Sequence, residues 1–499
     1  MADFDLAIIG GGINGAGIAR DAAGRGLRVL LVEQNDLGSG TSSASTKLIH
    51  GGLRYLEHGA LRLVHEALAE REVLLRLAPH VIRPMRFLLP VHSGMRSIWL
   101  LRLGFFIYDH LGGRRHLPPT RNIDLTHHAV GMPLRRRYKF GFQYSDCMVD
   151  DARLVVLNAI DAAERGAVIR TRTKCVRAER DENWRLVLNA RGRRESVTAR
   201  VLINAAGPWI GQVAETIIRL PGPSRVRLVR GSHIVVRRLF EHDCGYIFQN
   251  PDKRVVFALP FERDFTLIGT TDEDFRGDPA GAATQPHEIT YLCQTVNEYF
   301  REPVEPEHVV WAFSGVRSLY DDGASRPEDI TRDYHIDFAE RFHEPPLLTI
   351  YGGKITTYRR LAEAVMSRLS HFFAAGDAWT KKAPLPGGDF PFDGIDGFLA
   401  RVRATWPFLS EDHARRLVHA YGTRIDRVLG KAQGLADLGA CFGADLTAAE
   451  VRYLMTQEWA HEPDDVLWRR SKLGLRFSAE ECETLWRFMA GARDLNAAE

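Results

Sequence analysis

The spacing of apolar and polar positions divides this chain into stretches of different period. Residues 5–9 form a short apolar run that breaks into Gly10, Gly11, Gly12, Ile13, Asn14 and Gly15. Small residues at helical spacing follow (Ala16, Ala19, Ala22, Ala23), and a second apolar run over 28–32 ends on Glu33. That order predicts strand, glycine turn, helix, strand and terminal acid. Residues 151–163 carry an apolar face at helical spacing, with Asp150 and Asp151 at the end where a helix is partially positive. Short runs over 168–170, 175–178 and 185–188 predict a three-stranded meander, and 201–207 reads as a buried strand ending in small residues. Between 227 and 271 the period falls to two, in HIVV, YIFQ, RVVFALPF and FTLIGTT, which predicts an antiparallel sheet. Another buried strand over 347–351 stops at Gly352, Gly353 and Lys354, and a helix runs on to Leu369. From Pro384 the pattern is helical, with capping boxes expected from Thr447 to Glu450 and from Ser478 to Glu481.

The first unit carries a specific chemistry. Gly10 permits the tight turn, Gly12 lets the backbone approach a pyrophosphate, and Gly15 lets helix and strand pack closely. The helix N-terminus offers N–H groups to phosphate, and Glu33 is placed to accept from a ribose hydroxyl pair. A glycine turn alone is common; the flanking strands and the terminal acid make this one a dinucleotide-binding βαβ unit. Three later breaks, His50-Gly51-Gly52, Ala205-Ala206-Gly207 and Gly352-Gly353-Lys354, follow apolar or small stretches. Taken singly each is an ordinary strand-end turn. Together they fit a backbone passing a flat ring at several places, and so a larger cofactor lying extended, FAD rather than NAD.

The expected cofactor contacts are therefore Gly10, Gly12, Ile13, Asn14, Gly15 and Glu33 at the first unit, and Thr41, Ser42, Ser43, Ser45, Lys47 and Leu48 along the pyrophosphate and ribityl chain. His50, Gly51, Gly52, Ala205, Gly207, Trp209, Gly353, Lys354, Ile355 and Thr356 are expected toward the ring. The fold expected is α/β. A Rossmann-like FAD-binding domain (1–75, 145–225 and 345–383) is interleaved with an antiparallel-sheet substrate domain (76–144 and 226–344), and a C-terminal helical domain (384–499) follows.

Composition narrows the partners. Sixty-six basic residues against 63 acidic ones leave no global signature of nucleic-acid binding. Six cysteines without a CxxC pair argue against a zinc or iron–sulfur site and fit free thiols in a reducing compartment, so no metal is expected. No signal peptide is read before the first strand, and no apolar run reaches the roughly 18–20 residues that span a bilayer. The expectation is a cytoplasmic protein or one bound to the membrane from that side. Residues 97–111, SIWLLRLGFFIYDHL, are the most apolar stretch, with Arg96 just before it, Arg102 in it and Arg114 and Arg115 beyond. Trp99, Phe105, Phe106 and Tyr108 are of the types favoured at a membrane surface. A buried core helix is the other reading.

The segments IHGGLRYLE, YSDCMVDDARLV, NAAGPW, GSHIVV, IGTTD, SGVRSL, ITRDY and GGKITTYR, at these spacings, closely resemble the FAD-dependent sn-glycerol-3-phosphate dehydrogenases, members of the D-amino-acid-oxidase-like flavoproteins. The likeness covers about residues 4–382 and extends into 467–470. It implies oxidation of glycerol 3-phosphate to dihydroxyacetone phosphate, electrons passed to membrane quinone, and a peripheral seat on the inner face of the cytoplasmic membrane through about 97–111. One departure is Ser318, where the family has proline after the arginine of SGVR.

A phosphate handle calls for arginine, which donates bidentately, or lysine as a point charge. Arg54, Arg317, Arg332 and Lys354 lie in or beside these motifs, and Tyr55, His50 and Thr270 complete the expected substrate contacts. For the proton acceptor an imidazole is suited by its titration near neutral pH. His233 is favoured, with Lys354 and His50 as alternatives, and the expected catalytic set is His233, Arg317 and Lys354. An oxygen-using glycerophosphate oxidase, an amine or amino-acid oxidase on the same fold, and a flavin sensor stay open as other readings. So do homodimer formation and the role of the C-terminal domain.

Overall fold

A computed structural model describes residues 2–498 apart from 114–115, 221–224, 251, 253, 322, 324–332 and 340–343. Its first sheet is built on Phe4–Ile9, which pairs in parallel with Val29–Val32 on one side and with Arg193–Asn204 on the other. The strand order is His335–Ala339, Leu347–Tyr351, Arg193–Asn204, Phe4–Ile9, Val29–Val32, Val168–Arg170. Within the parallel sheet the inner strands are apolar because both faces are covered, as in Val29–Val32 and the end of Arg193–Asn204. Helices Ile13–Gly24, Asp151–Glu164 and Tyr358–Arg368 pack on one face, and a hairpin with residues 213–218 on the other.

The meander differs from the expectation. Val168–Arg170 adds in parallel to the edge of the sheet beside Val29–Val32. The antiparallel strands are Thr173–Arg180, Trp184–Ala190 and the first half of Arg193–Asn204. That first half is polar and largely exposed, which hid it, while the apolar second half enters the parallel sheet.

The second sheet runs Glu273–Asp274, Val226–Arg237, Phe265–Gly269, Val255–Phe261, Gly245–Gln249, Ile82–Pro90, Phe140–Val149, Leu48–Ile49. Val309–Tyr320 pairs antiparallel along nearly all of Val226–Arg237. Helix Pro286–Tyr299 covers one face through Leu292, Val296 and Tyr299. Leu48–Ile49 and all of Phe140–Val149 thus lie in this sheet, and His335–Ala339 in the first, so the chain crosses between the layers more finely than a division at 75, 145 and 345.

Helices Ile395–Thr405, Glu411–Tyr421, Ala448–Gln457 and Ala479–Ala498 form the C-terminal domain around Leu417, Val451, Leu454 and Leu485. Buried ion pairs dock it on the first domain: Arg153 with Glu458, Arg470 with Asp36, and Lys472 with Asp150 at 3.3 Å. The box at Ser478 and Glu481 forms reciprocally at 2.7 and 3.2 Å. At Thr447 only half forms, because the Glu450 carboxylate accepts from Arg416 and Tyr421 instead. All six cysteines are free.

The apolar stretch is helix Ile98–Leu111, and it is one-sided. Trp99 is 77 % exposed and Phe106 60 %, with Leu103 also exposed. Phe105 and Tyr108 are buried against the second sheet, so these two belong to the core and not to a membrane-facing surface. No described helix is long and apolar enough to cross a membrane.

Candidate active site

The glycine turn separates what the protein needs for itself from what it leaves room for. Gly10 has a φ of +116°, and a Cβ there would lie 2.4 Å from the Ala205 carbonyl oxygen. A Cβ on Gly12 would meet only Ser42 Oγ, at 3.2 Å, so the space beside Gly12 is kept clear of protein. It opens on a cavity of about 370 Å³ lined by Gly10, Gly12, Glu33, Thr41, Ser42, Gly207 and Trp209 among others. Glu33 accepts from the Gly11 and Asn35 N–H groups at 2.7 and 2.8 Å, and burial raises its pKa above the ordinary range. Asn14 donates to the Gly352 carbonyl at 3.1 Å, while its buried Oδ1 has no hydrogen-bond partner among the described residues. Ser42 Oγ accepts from Ile13 N–H at 3.0 Å, Thr41 donates to the Val316 carbonyl, and Trp209 donates to Asp278 at 3.2 Å.

Two of the later breaks, those at His50 and Gly352, are joined although far apart in sequence. His50 N–H donates to Thr356 Oγ1 at 3.3 Å, and Gly352 N–H donates to the Ser318 carbonyl at 2.7 Å. Gly51 N–H donates to the Tyr108 phenol at 2.9 Å, which in turn donates to Asp146 at 2.7 Å; Arg71 holds the same carboxylate. Tyr108 comes from the apolar helix, whose inner face is thereby pinned beneath Gly51. Two expected contacts are corrected here. Lys47 Nζ makes hydrogen bonds to both Asp151 oxygens and to the Ser43 carbonyl, each 2.9 Å, which uses its three donors. Ser45 donates to Asp151 at 2.7 Å. Both hold Asp151 rather than a pyrophosphate. Leu48 is buried within its short strand, and among the described residues Ser43 Oγ reaches the Gly40 carbonyl, at 3.4 Å.

Arg317 lies on Val309–Tyr320, directed by the turn from Thr270 to Asp272. Its Nη1 donates to Asp272 at 2.6 Å and its Nη2 to Thr270 Oγ1 at 3.0 Å. Gly231 on the neighbouring strand makes this possible, because a Cβ there would lie 2.3 Å from Nη2. The Thr270–Asp272 turn is held from behind by buried Glu288, which accepts from Thr271 and Ser232 at 2.7 and 2.8 Å. Asp272 was not singled out in the sequence; the available signal was its place at the end of IGTTD. Lys354 Nζ sits 3.6 Å from the Tyr55 ring centroid, a cation–π contact. Arg54 lines a second, apolar cavity of about 220 Å³. Arg332 lies outside the described residues, as do Arg114 and Arg115.

His233 is 0 % exposed. Its ring stacks on Phe313 with centroids 4.9 Å apart and planes at 11°, and Nε2 is 3.0 Å from Thr46 Oγ1. Nδ1 has no partner among the described residues. Burial first, then the Arg317 and Lys47 cations, hold its pKa well below the usual imidazole value, so the ring is neutral. The imidazole is therefore enclosed by protein, and the hydroxyl of half-buried Thr46 is its described polar contact. Thr46 and Phe313 were missed in the sequence, since neither stands in a motif that marks it.

A family described as FAD dependent oxidoreductase matches residues 5–359, and one described as the C-terminal domain of alpha-glycerophosphate oxidase matches 378–491. The chain is 49 % identical over 489 residues to a glycerol-3-phosphate dehydrogenase of Pseudomonas aeruginosa, covering 97 % of this chain and 95 % of that one. It is 50 % identical over 482 residues to a D-erythritol 1-phosphate dehydrogenase of Brucella abortus, covering 96 % of each. The crystal structure of a Bacillus halodurans glycerol-3-phosphate dehydrogenase complexed with FAD superposes with a TM-score of 0.78 at 28 % identity, over 98 % of this chain and 90 % of that one. The space kept at Gly12 and the orphaned Asn14 Oδ1 suit that cofactor. This chain is an enzyme that belongs to the FAD dependent oxidoreductase family and takes FAD as its cofactor.

Proposed function

We propose that this enzyme oxidises the secondary alcohol of sn-glycerol 3-phosphate to the ketone of dihydroxyacetone phosphate and delivers the electrons to a membrane quinone. The observation that carries the reading is Arg317, whose guanidinium is aimed by Asp272 and Thr270 and tied through Ser318 to the turn that bears Lys354. Two such cations anchor a phosphate monoester, with the Tyr55 ring 3.6 Å from the Lys354 ammonium. FAD, when bound, supplies the acceptor for the hydride leaving the carbinol carbon. The hydroxyl proton leaves toward the Thr46 hydroxyl, which His233 Nε2 holds at 3.0 Å, and the neutral imidazole takes it up.

The exposed face of Ile98–Leu111 supports a peripheral seat on the inner face of the cytoplasmic membrane. Trp99, Leu103 and Phe106 offer apolar contact there. The cavity of about 220 Å³ between this helix and the sheet, with Arg54, Arg96, Leu101, Phe105 and Ile247 in its wall, gives a quinone ring a way in from the lipid. A second substrate, a four-carbon polyol 1-phosphate, is favoured by the 50 % identity to the D-erythritol enzyme, and the same anchor serves it.

Anaerobic mixing of the yellow holoenzyme with glycerol 3-phosphate tests the reading. Its flavin absorbance is expected to bleach and to return faster with quinone in vesicles than with dissolved oxygen. No bleaching with glycerol 3-phosphate, against bleaching with D-erythritol 1-phosphate, hands the site to the second substrate. Faster return with oxygen makes the enzyme an oxidase.

A further inference from the structure

An aromatic column joins the C-terminal helical domain to the imidazole. Trp311 and Phe313 are two positions apart on Val309–Tyr320 and share a face, and the antiparallel register sets Phe313 opposite His233. The rings follow one another: His233 on Phe313 at 4.9 Å, Phe313 against Trp311 at 4.5 Å, and Trp311 on Trp468 at 4.5 Å with planes at 26°. Trp468 is the member of this column that comes from outside the sheet. Behind it stands Gly474, where a Cβ would lie 2.5 Å from the indole. The turn that bears it is fastened to the FAD-binding domain by Arg469 and Arg470 on Asp36 and by Lys472 on Asp150. Asp151, next in the chain, holds Lys47, whose ammonium lies 5.2 Å from the Phe313 ring centroid. Neighbouring aspartates thus secure a lysine beside the column and a lysine next to its outer end.

We infer that Trp468 is a positioning residue for His233, acting through Trp311 and Phe313. The inference rests on the proton-accepting role proposed for His233. The imidazole has one described polar contact, to Thr46, so its plane is set by what it lies flat against. Trp468 keeps Trp311 upright, Trp311 keeps Phe313 flat, and Phe313 keeps Nε2 directed at the Thr46 hydroxyl. Without the indole, Trp311 turns into the vacated space and the ring plane at His233 is no longer held. Arg317 and Lys354 are untouched by that movement, so orientation is lost while the substrate anchor remains. The C-terminal domain is on this account a working part of the site.

The test is flavin reduction followed anaerobically in holoenzyme variants. Trp468→Ala is expected to slow reduction at saturating glycerol 3-phosphate by about tenfold, with substrate affinity within about twofold and FAD content unchanged. Trp468→Phe restores most of the rate, and Gly474→Ala, which keeps the indole but pushes it, slows reduction as Trp468→Ala does. The acid limb of the rate profile moves in Trp468→Ala although Lys47 and Arg317, the charged groups facing the ring, are unaltered. In a His233→Ala background Trp468→Ala adds no further loss. Should Trp468→Ala not fold, Gly474→Ala carries the same comparison. Losses that multiply in the double variant, or a loss of affinity as large as the loss of rate, overturn the positioning role and leave the base in place. An unchanged rate in His233→Ala alone removes the base, and the positioning role with it.

Discussion

Arg317 donates to Asp272 across 2.6 Å, so the cation expected to meet a phosphate is aimed by a carboxylate from the neighbouring turn. Removing the cation with Arg317→Ala is expected to lower kcat/KM for glycerol 3-phosphate by roughly 10- to 100-fold, the loss of a charge-assisted donor. Asp272→Asn keeps an acceptor for the guanidinium and should raise KM with a smaller effect on kcat. Steady-state kinetics with flavin absorbance as the loading control measures both. A wild-type enzyme that oxidises glycerol as well as its phosphate would rule the anchor out.

The glycine turn gives two substitutions with opposite signatures. A Cβ at Gly10 runs into the Ala205 carbonyl, so Gly10→Ala should lower the melting temperature of the apoprotein itself. Gly12→Val faces only Ser42 and open space, so its apoprotein should melt near the wild-type temperature yet fail to take up FAD, because the side chain occupies the pyrophosphate's approach. Thermal melts of both apoproteins, with and without added FAD, separate the cases.

His80 predicts a stability that depends on pH. The ring is fully buried where the C-terminal domain meets the first, with no partner on either nitrogen among the described residues. Its carbonyl accepts from His419 Nδ1 at 3.0 Å. Burial, then Arg153 and His419, lowers its pKa to about 3. The unfolded chain takes a proton on this ring near the ordinary pKa of about 6.5 and the folded one does not. The stabilisation is therefore complete above about pH 6.5 and declines as pH falls toward the folded value, by about 2 kcal/mol at pH 5. Melting temperatures from neutral to mildly acid pH should fall more steeply for the wild type than for His80→Leu, and equal slopes would clear His80 of the effect.

The two faces of Ile98–Leu111 call for different substitutions. Trp99→Glu with Phe106→Glu alters the exposed face and should release the enzyme from anionic vesicles while anaerobic flavin reduction by substrate persists. Phe105→Glu places a carboxylate among Phe142 and Tyr144 and should instead reduce folded yield. Flotation with vesicles and soluble expression are the respective measurements. Continued flotation of the double variant would mean that another surface makes the contact.

What the sequence made legible was what glycine and period mark. The turn at Gly10 and Gly12 is dictated locally, and the period-two runs near Ile234 and Leu267 form the expected sheet. Residues whose neighbours are set by tertiary packing were misread or missed. Lys47 looked like a phosphate ligand because its partner, Asp151, is remote in sequence. Thr46, Phe313 and Asp272 acquire a function only when two loops and a strand, remote from one another in sequence, bring them to His233 and Arg317. Phe105 and Phe106 are adjacent and chemically alike, and only the helix geometry turns one to the core and the other to solvent.

The position of Leu347–Tyr351 between Arg193–Asn204 and His335–Ala339 governs how the enzyme is made. While the ribosome is still short of that strand, Arg193–Asn204 presents an open parallel edge, and Thr356 has not emerged to reach His50. The junction of the His50 and Gly352 breaks on a nascent chain is thus unfinished until most of the polypeptide is translated. The waiting edge is the part of the newborn protein most in need of shelter from other chains.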